Sequence, residues 1–174
     1  MTTLHDPPAV LDRRVADFVA LFDGIARTRM AGVPVSNPAL RVEAIGFAPQ
    51  AGNDGVDVAA GILVTPWFMN LVRLPLHHDP RTAEVGRMQC HAVGTLAFGF
   101  IGAHEAAIGA FAACSLFSPM FEFADQAAAR ATALAVLDQC CRVRAAPAPS
   151  GRAGPPPGRR SFLFGRRAAG EAHR

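Results

Sequence analysis

The sequence predicts an α+β fold in which an antiparallel sheet is packed with an N-terminal and a C-terminal helix. Three observations carry the prediction. Apolar residues recur with a helical period near the N-terminus, short strand-like segments broken by glycine and proline fill the middle, and an alanine-rich run follows them. The chain has 174 residues, 51% of them apolar. We expect one domain over residues 1–144 and a basic, disordered Pro/Gly/Arg-rich tail over 145–174. A body of about 145 residues buries roughly 70% of the surface of its unfolded chain, so it needs neither a metal nor a disulfide to fold.

Asp6-Pro7 reads as a helix N-cap followed by proline at the first helical position. Leu11, Val15, Phe18, Phe22 and Ile25 then share one face, and Gly32-Val33-Pro34 ends the helix after about six turns. Leu40 to Phe47 reads as a strand, with Arg41 and Glu43 alternating against Leu40, Val42 and Ala44. Gly52-Asn53-Asp54-Gly55 supplies a hairpin turn. Val56 to Thr65 returns as a second strand, and its apolar end, Gly61-Ile62-Leu63-Val64, predicts a central place in the sheet. Pro66 marks a bend before a third strand, Phe68 to Leu74, closed by Pro75. His77 to Gly86 reads as a solvated loop. Further strands are expected at Arg87 to His91, Thr95 to His104 and Phe111 to Phe117, with Leu96, Phe98 and Phe100 facing one way. Ser118-Pro119 repeats the helix-start signature, Glu122 and Asp125 fall where the helix dipole favours acids, and the helix should continue to about Arg142.

Charge is unevenly spread. Residues 1–144 carry eleven arginines against thirteen acids, and residues 145–174 carry six arginines against one acid, so the body is slightly acidic and the tail basic. A slightly acidic body offers no footprint for phosphates, which argues against nucleic acid as the partner. No uncharged stretch is long enough to cross a bilayer and Met1 to Asp6 has neither a basic nor an apolar leader region, so we expect a cytoplasmic protein with no membrane insertion. Cys90, Cys114, Cys140 and Cys141 lack the Cys-x-x-Cys spacing that puts two thiolates on one ion, so no metal and no cofactor are expected.

Two strings stand out: Thr65-Pro66-Trp67-Phe68-Met69-Asn70-Leu71 and Ser115-Leu116-Phe117-Ser118-Pro119-Met120-Phe121-Glu122-Phe123-Ala124-Asp125. With Asn37-Pro38 and Ile45-Gly46-Phe47, they resemble the HybE/HupJ/HoxT family of [NiFe]-hydrogenase assembly chaperones, over about residues 10 to 142. The resemblance implies a compact α+β domain similar to small secretion chaperones, serving the maturation of an uptake hydrogenase. It implies as partners the large and/or small subunit precursor, the twin-arginine signal peptide of the small subunit and other hydrogenase accessory proteins. Some relatives are fused to a rubredoxin; this chain lacks the cysteine pairs, so no iron function carries over.

Two consecutive aromatics on a strand point to opposite faces, so Trp67 and Phe68 are both buried only if both sheet faces are covered. Three partly exposed aromatics would make a patch of about 400–600 Å², the size of the largest patch on an ordinary monomer. We therefore expect a client-binding surface bounded by Trp67, Phe68, Met69, Asn70, Met120, Phe121 and Phe123, with Glu122 and Asp125 able to pair with client arginines. Methionine suits such a surface because its flexible thioether adapts to irregular partners.

In the tail, Arg159-Arg160-Ser161-Phe162-Leu163-Phe164 resembles the core of a twin-arginine signal. It lies at the wrong end and no apolar region follows, so it is not an export signal; instead it could mimic the client's motif and occupy an acidic groove. Enzyme constellations are thin. His77-His78-Asp79 falls in a loop, adjacent His104 and Glu105 point to opposite faces of a strand, and no recognised nucleophile, metalloprotease or phosphate-loop spacing occurs. We expect no catalysis. A small redox or metal-delivery factor of the same pathway would instead use Cys114 or Cys140-Cys141, and a nucleic-acid module would use the basic tail.

Overall fold

The computed structural model describes residues 7–51, 57–77 and 84–142. Helix α1 (Pro7–Arg27) is followed by strands β1 (Glu43–Ala51), β2 (Asp57–Val64), β3 (Met69–Pro75), β4 (Met88–Val93), β5 (Leu96–Glu105) and β6 (Gly109–Phe117), and by helix α2 (Gln126–Arg142). The strands form one antiparallel sheet in the order β1-β2-β3-β6-β5-β4. Two consecutive meanders, β1-β2-β3 and β4-β5-β6, are thus joined along β3 and β6. The turn residues 52–55 and the His78-Asp79 pair lie outside the described residues.

The later part of the predicted α1 stripe, Phe18, Phe22 and Ile25, packs on the sheet, whereas Leu11 and Val15 line an open groove beside it. Phe18 is fully buried and Phe22 nearly so. Phe18 meets Phe111 edge-on at 5.1 Å, and Phe22 meets Phe68 at 5.7 Å. Leu63, Val72, Leu74 and Ile108 complete this core on one face of the sheet. Arg14 fixes the helix polarly: its Nε donates to the carbonyl of Pro75 at 2.9 Å and its Nη2 to that of Ile108 at 2.5 Å. Burial draws its pKa down and nearby Asp17 offsets this in part. Arg14→Met keeps the stem and removes the donors. It should lower stability by about 1–3 kcal/mol in urea unfolding; an unchanged midpoint would mean that water replaces the guanidinium.

On the other face α2 covers Ile45, Ile62, Val64, Leu71, Phe100 and Cys114 with Ala129, Ala133, Val136 and Cys140. Leu96, Phe98 and Phe100 all face this core, as their alternation predicts. Every residue of β2 after Asp57 is buried, because the sheet is covered on both sides there. Small residues let α2 sit close. Gly94 has φ of 62°, and a Cβ there would fall 2.2 Å from the Cys140 carbonyl oxygen. Gly94→Ala combines a strained backbone with a collision against backbone, so α2's last turn must move.

The first strand starts three residues later than predicted, at Glu43, and Leu40 and Val42 are buried ahead of it. Helix α2 starts at Gln126, eight residues beyond Ser118. The true N-cap is Asp125, whose Oδ1 accepts from the Ala128 amide at 2.8 Å. Ser118-Pro119 is a cis peptide in the irregular segment after β6.

Candidate functional site

The two unusual strings and Asn37-Pro38 meet at one end of the sheet. Register places them there: Glu43 opposite Val64, Val64 opposite Met69, and Met69 opposite Phe117 bring the start of β1, the β2–β3 turn and the end of β6 side by side. Thr65 closes the turn. Its amide donates to the Phe68 carbonyl at 2.8 Å, and its hydroxyl oxygen accepts from the Phe68 amide at 2.9 Å. Proline at position 66 fits because this turn leaves no ladder bond for its missing N–H.

Asn37 joins the three segments. It is 9% exposed, and its backbone amide donates to the Pro66 carbonyl at 2.8 Å. Its Nδ2 donates to the carbonyls of Met120 at 3.1 Å and Phe123 at 2.8 Å, while its Oδ1 accepts from the Ala39 amide at 3.0 Å. One side chain therefore satisfies three backbone groups, two of them in the irregular segment after β6. Ser118 Oγ adds a contact to the Trp67 carbonyl at 3.4 Å.

The aromatic face differs from the one the sequence predicts. Met69 and Met120 are fully buried and Phe123 is 7% exposed, so these three support the end of the sheet from within and do not present a surface. Trp67 and Phe68 are half-buried, stacked edge-on at 5.6 Å, and both lie against the α1 core. Strand alternation does not separate them because β3 begins only at Met69; residues 65–68 form a turn. Asn70 is half-buried in β3 with its Oδ1 buried and without a hydrogen-bond partner. Phe121 projects outward, 60% exposed, between the buried Met120 and Phe123, and Glu122 beside it is exposed. Asp125 is exposed too, but its carboxylate is engaged as the cap of α2. Arg159, Arg160, Phe162 and Leu163 lie outside the described residues.

Sequence reasoning missed Asn37 as the organiser of this end and Glu43 as a hub. Glu43 binds Arg130, and its Oε2 accepts from Gln126 Nε2 at 2.7 Å, which ties α2 to the first strand. Glu105, weighed with His104 as an acid–base pair, is ion-paired with Arg29 at 3.0 Å. Among the described residues no cluster of three His, Cys, Asp or Glu side chains could hold a metal ion, and no helix is long and apolar enough to cross a membrane.

The cysteines divide sharply. Cys90 and Cys141 are exposed, and Cys114 and Cys140 are buried. Burial, with adjacent Cys141 adding to it, pushes the Cys140 thiol up to about 11. At pH 8 a thiol reagent should label Cys90 and Cys141 in the native protein and reach Cys114 and Cys140 only after denaturation, read by peptide mass mapping. Because the folded pKa lies above the unfolded one, stability from this site is intact below about pH 8.5 and is lost as pH climbs toward 11.

A family model described as "[NiFe]-hydrogenase assembly, chaperone, HybE" matches residues 13–165. The chain is 49% identical over 163 residues to Protein HoxT of Cupriavidus necator, spanning 88% of this chain and 89% of that protein. It is 42% identical over 147 residues to the hydrogenase expression/formation protein HoxT of Azotobacter vinelandii, spanning 83% and 86%. In fold it matches the solution structure of HybE from Escherichia coli with a TM-score of 0.50 at 21% identity, covering 89% of this chain and 91% of that one. The curled antiparallel sheet with its two helices is thus shared with a solved structure, and the match to the family runs through both strings. The chain belongs to the HybE family of [NiFe]-hydrogenase assembly chaperones.

Proposed function

We propose that this chain is a non-catalytic cytoplasmic chaperone that holds a [NiFe]-hydrogenase precursor and delays its twin-arginine export until assembly is complete. The clients are the large and/or small subunit precursor, the latter with its signal peptide, in company with other hydrogenase accessory proteins. One observation carries the docking assignment: Phe121 is a large aromatic left 60% exposed between Met120 and Phe123, which are fully and nearly buried. A ring held out by buried anchors meets a partner with little entropy left to lose. Trp67 and Phe68 stand half-buried at the same end of the sheet, and Glu122 supplies a charge for a client arginine. Met69, Met120 and Phe123 mount these groups from below, with Asn70 alongside.

A redox or metal-delivery role fits less well, since Cys114 and Cys140 are buried and the Cys140 thiol resists ionisation. Affinity capture of the full chain from hydrogenase-expressing cells tests the proposal. A hydrogenase subunit should copurify with its signal peptide or other precursor segment still attached. Recovery of mature subunits only, or of none, would overturn it.

A further inference from the structure

The flank of α1 beside Phe18 forms one wall of an open groove, and Val42 with β1 forms the other. Val15, Val19, Val42 and Phe47 line it with Ala16 and Ala20, and its volume is about 590 Å³. That is within the range of pockets that bury a ligand of several side chains. Asp12 and Asp23 also line the groove. They lie eleven residues apart on the same side of the helix, about 16 Å from end to end. Neither forms an ion pair among the described residues. The third acid, Glu43, already holds Arg130 and Gln126. The arginines of α1 are not among the lining side chains. The groove therefore reads acid, apolar, acid along its length.

One segment of this chain has the complementary order. Arg159-Arg160-Ser161-Phe162-Leu163-Phe164-Gly165-Arg166-Arg167 reads base, apolar, base. Arg160 to Arg166 spans about 20 Å when extended, and flexible arginine stems can lean inward to meet carboxylates about 16 Å apart. Sixteen residues, 143–158, separate the end of α2 from Arg159. They reach up to about 50 Å, more than the width of a body of this size. The family match continues through residue 165, so most of the string falls within the matched length.

We propose that the groove between α1 and β1 is the seat of this chain's own Arg159–Arg167 segment. The arginine pairs reach Asp12 and Asp23, and the rings of Phe162 and Phe164 lie on Val15, Val19 and Phe47. A tether of this length holds the segment at an effective concentration near millimolar, so a contact too weak to survive between separate molecules is occupied within one. The seat is a property of the chain alone and holds whichever client it serves. An incoming segment of the same basic and apolar chemistry would have to displace it.

The full-length protein with Phe162→benzoylphenylalanine tests the seat by photo-crosslinking. Monomeric intrachain adducts are expected on peptides containing Leu11–Asp23 or Val42–Phe47. D12N/D23N should cut their yield at least fivefold, as should R160S/R166S, whose changes lie outside the folded body; D138N on α2 should not. Raising salt from 0.05 to 1 M should also lower the yield, because screening shortens to about 3 Å. Adducts confined to other peptides, a yield indifferent to D12N/D23N, or crosslinked dimers as the main product would each overturn the proposal, the last by assigning the segment to a second copy.

Discussion

Asn37→Ala should lower the unfolding free energy by about 2–4 kcal/mol, the largest effect we expect from any single polar side chain in this protein. The substitution removes both donors that hold the Met120 and Phe123 carbonyls and the acceptor of the Ala39 amide. Each buried backbone group left unpaired costs about 1–3 kcal/mol, and partial access of water trims the sum. Asn37→Asp is the sharper control. It keeps the acceptor for Ala39, loses both donors and sets a carboxylate against two carbonyl oxygens, so it should destabilise at least as much at neutral pH and recover partly in acid as the carboxyl protonates. Urea titration with circular dichroism reads both. A loss below about 1 kcal/mol for Asn37→Ala would show that solvent, not Asn37, satisfies this turn. Because the same side chain orders the segment carrying Phe121, precursor capture should fall with stability in both variants.

Much of the frame was legible because it follows from periodicity. The α1 stripe, the apolar end of β2 and the one-sided placing of Leu96, Phe98 and Phe100 each need only a 3.6- or 2-residue repeat and a core to bury it. The start of α2 was not, because two start signals compete. Ser118-Pro119 carries the local signature, yet Asp125 stands directly before the alanine run, and burial of Met120 and Phe123 holds the intervening residues in an irregular path. The same long-range burial defeats the pairing rule for Trp67 and Phe68: alternation applies to strands, and Thr65 turns the chain before β3 begins. Asn37 was visible only as part of a resemblance, since its partners lie 83 and 86 residues away and nothing local marks them. The groove of α1 was half legible. Its apolar residues and acids stand in the sequence, but only the sheet's placement turns that flank of the helix into a wall.

Phe121→Ala should separate binding from folding. The side chain is 60% exposed, so its removal should shift stability by no more than about 0.5 kcal/mol. An aromatic anchor at the centre of an interface, by contrast, contributes about 2 kcal/mol or more, which is a fall in precursor affinity of roughly thirtyfold. Met120→Ala next to it should do the reverse. Its thioether is fully buried, so the cavity should cost about 2–5 kcal/mol, while the protein that remains folded keeps Phe121 on its surface and retains most of its affinity. Trp67→Ala, half-buried against the α1 core, should lose on both counts. Titration of each variant against purified precursor, beside its urea midpoint, places the three on different axes. Should Phe121→Ala bind as the parent does while Met120→Ala loses affinity in proportion to its stability, the exposed ring is surface and nothing more, and the client meets the chaperone elsewhere.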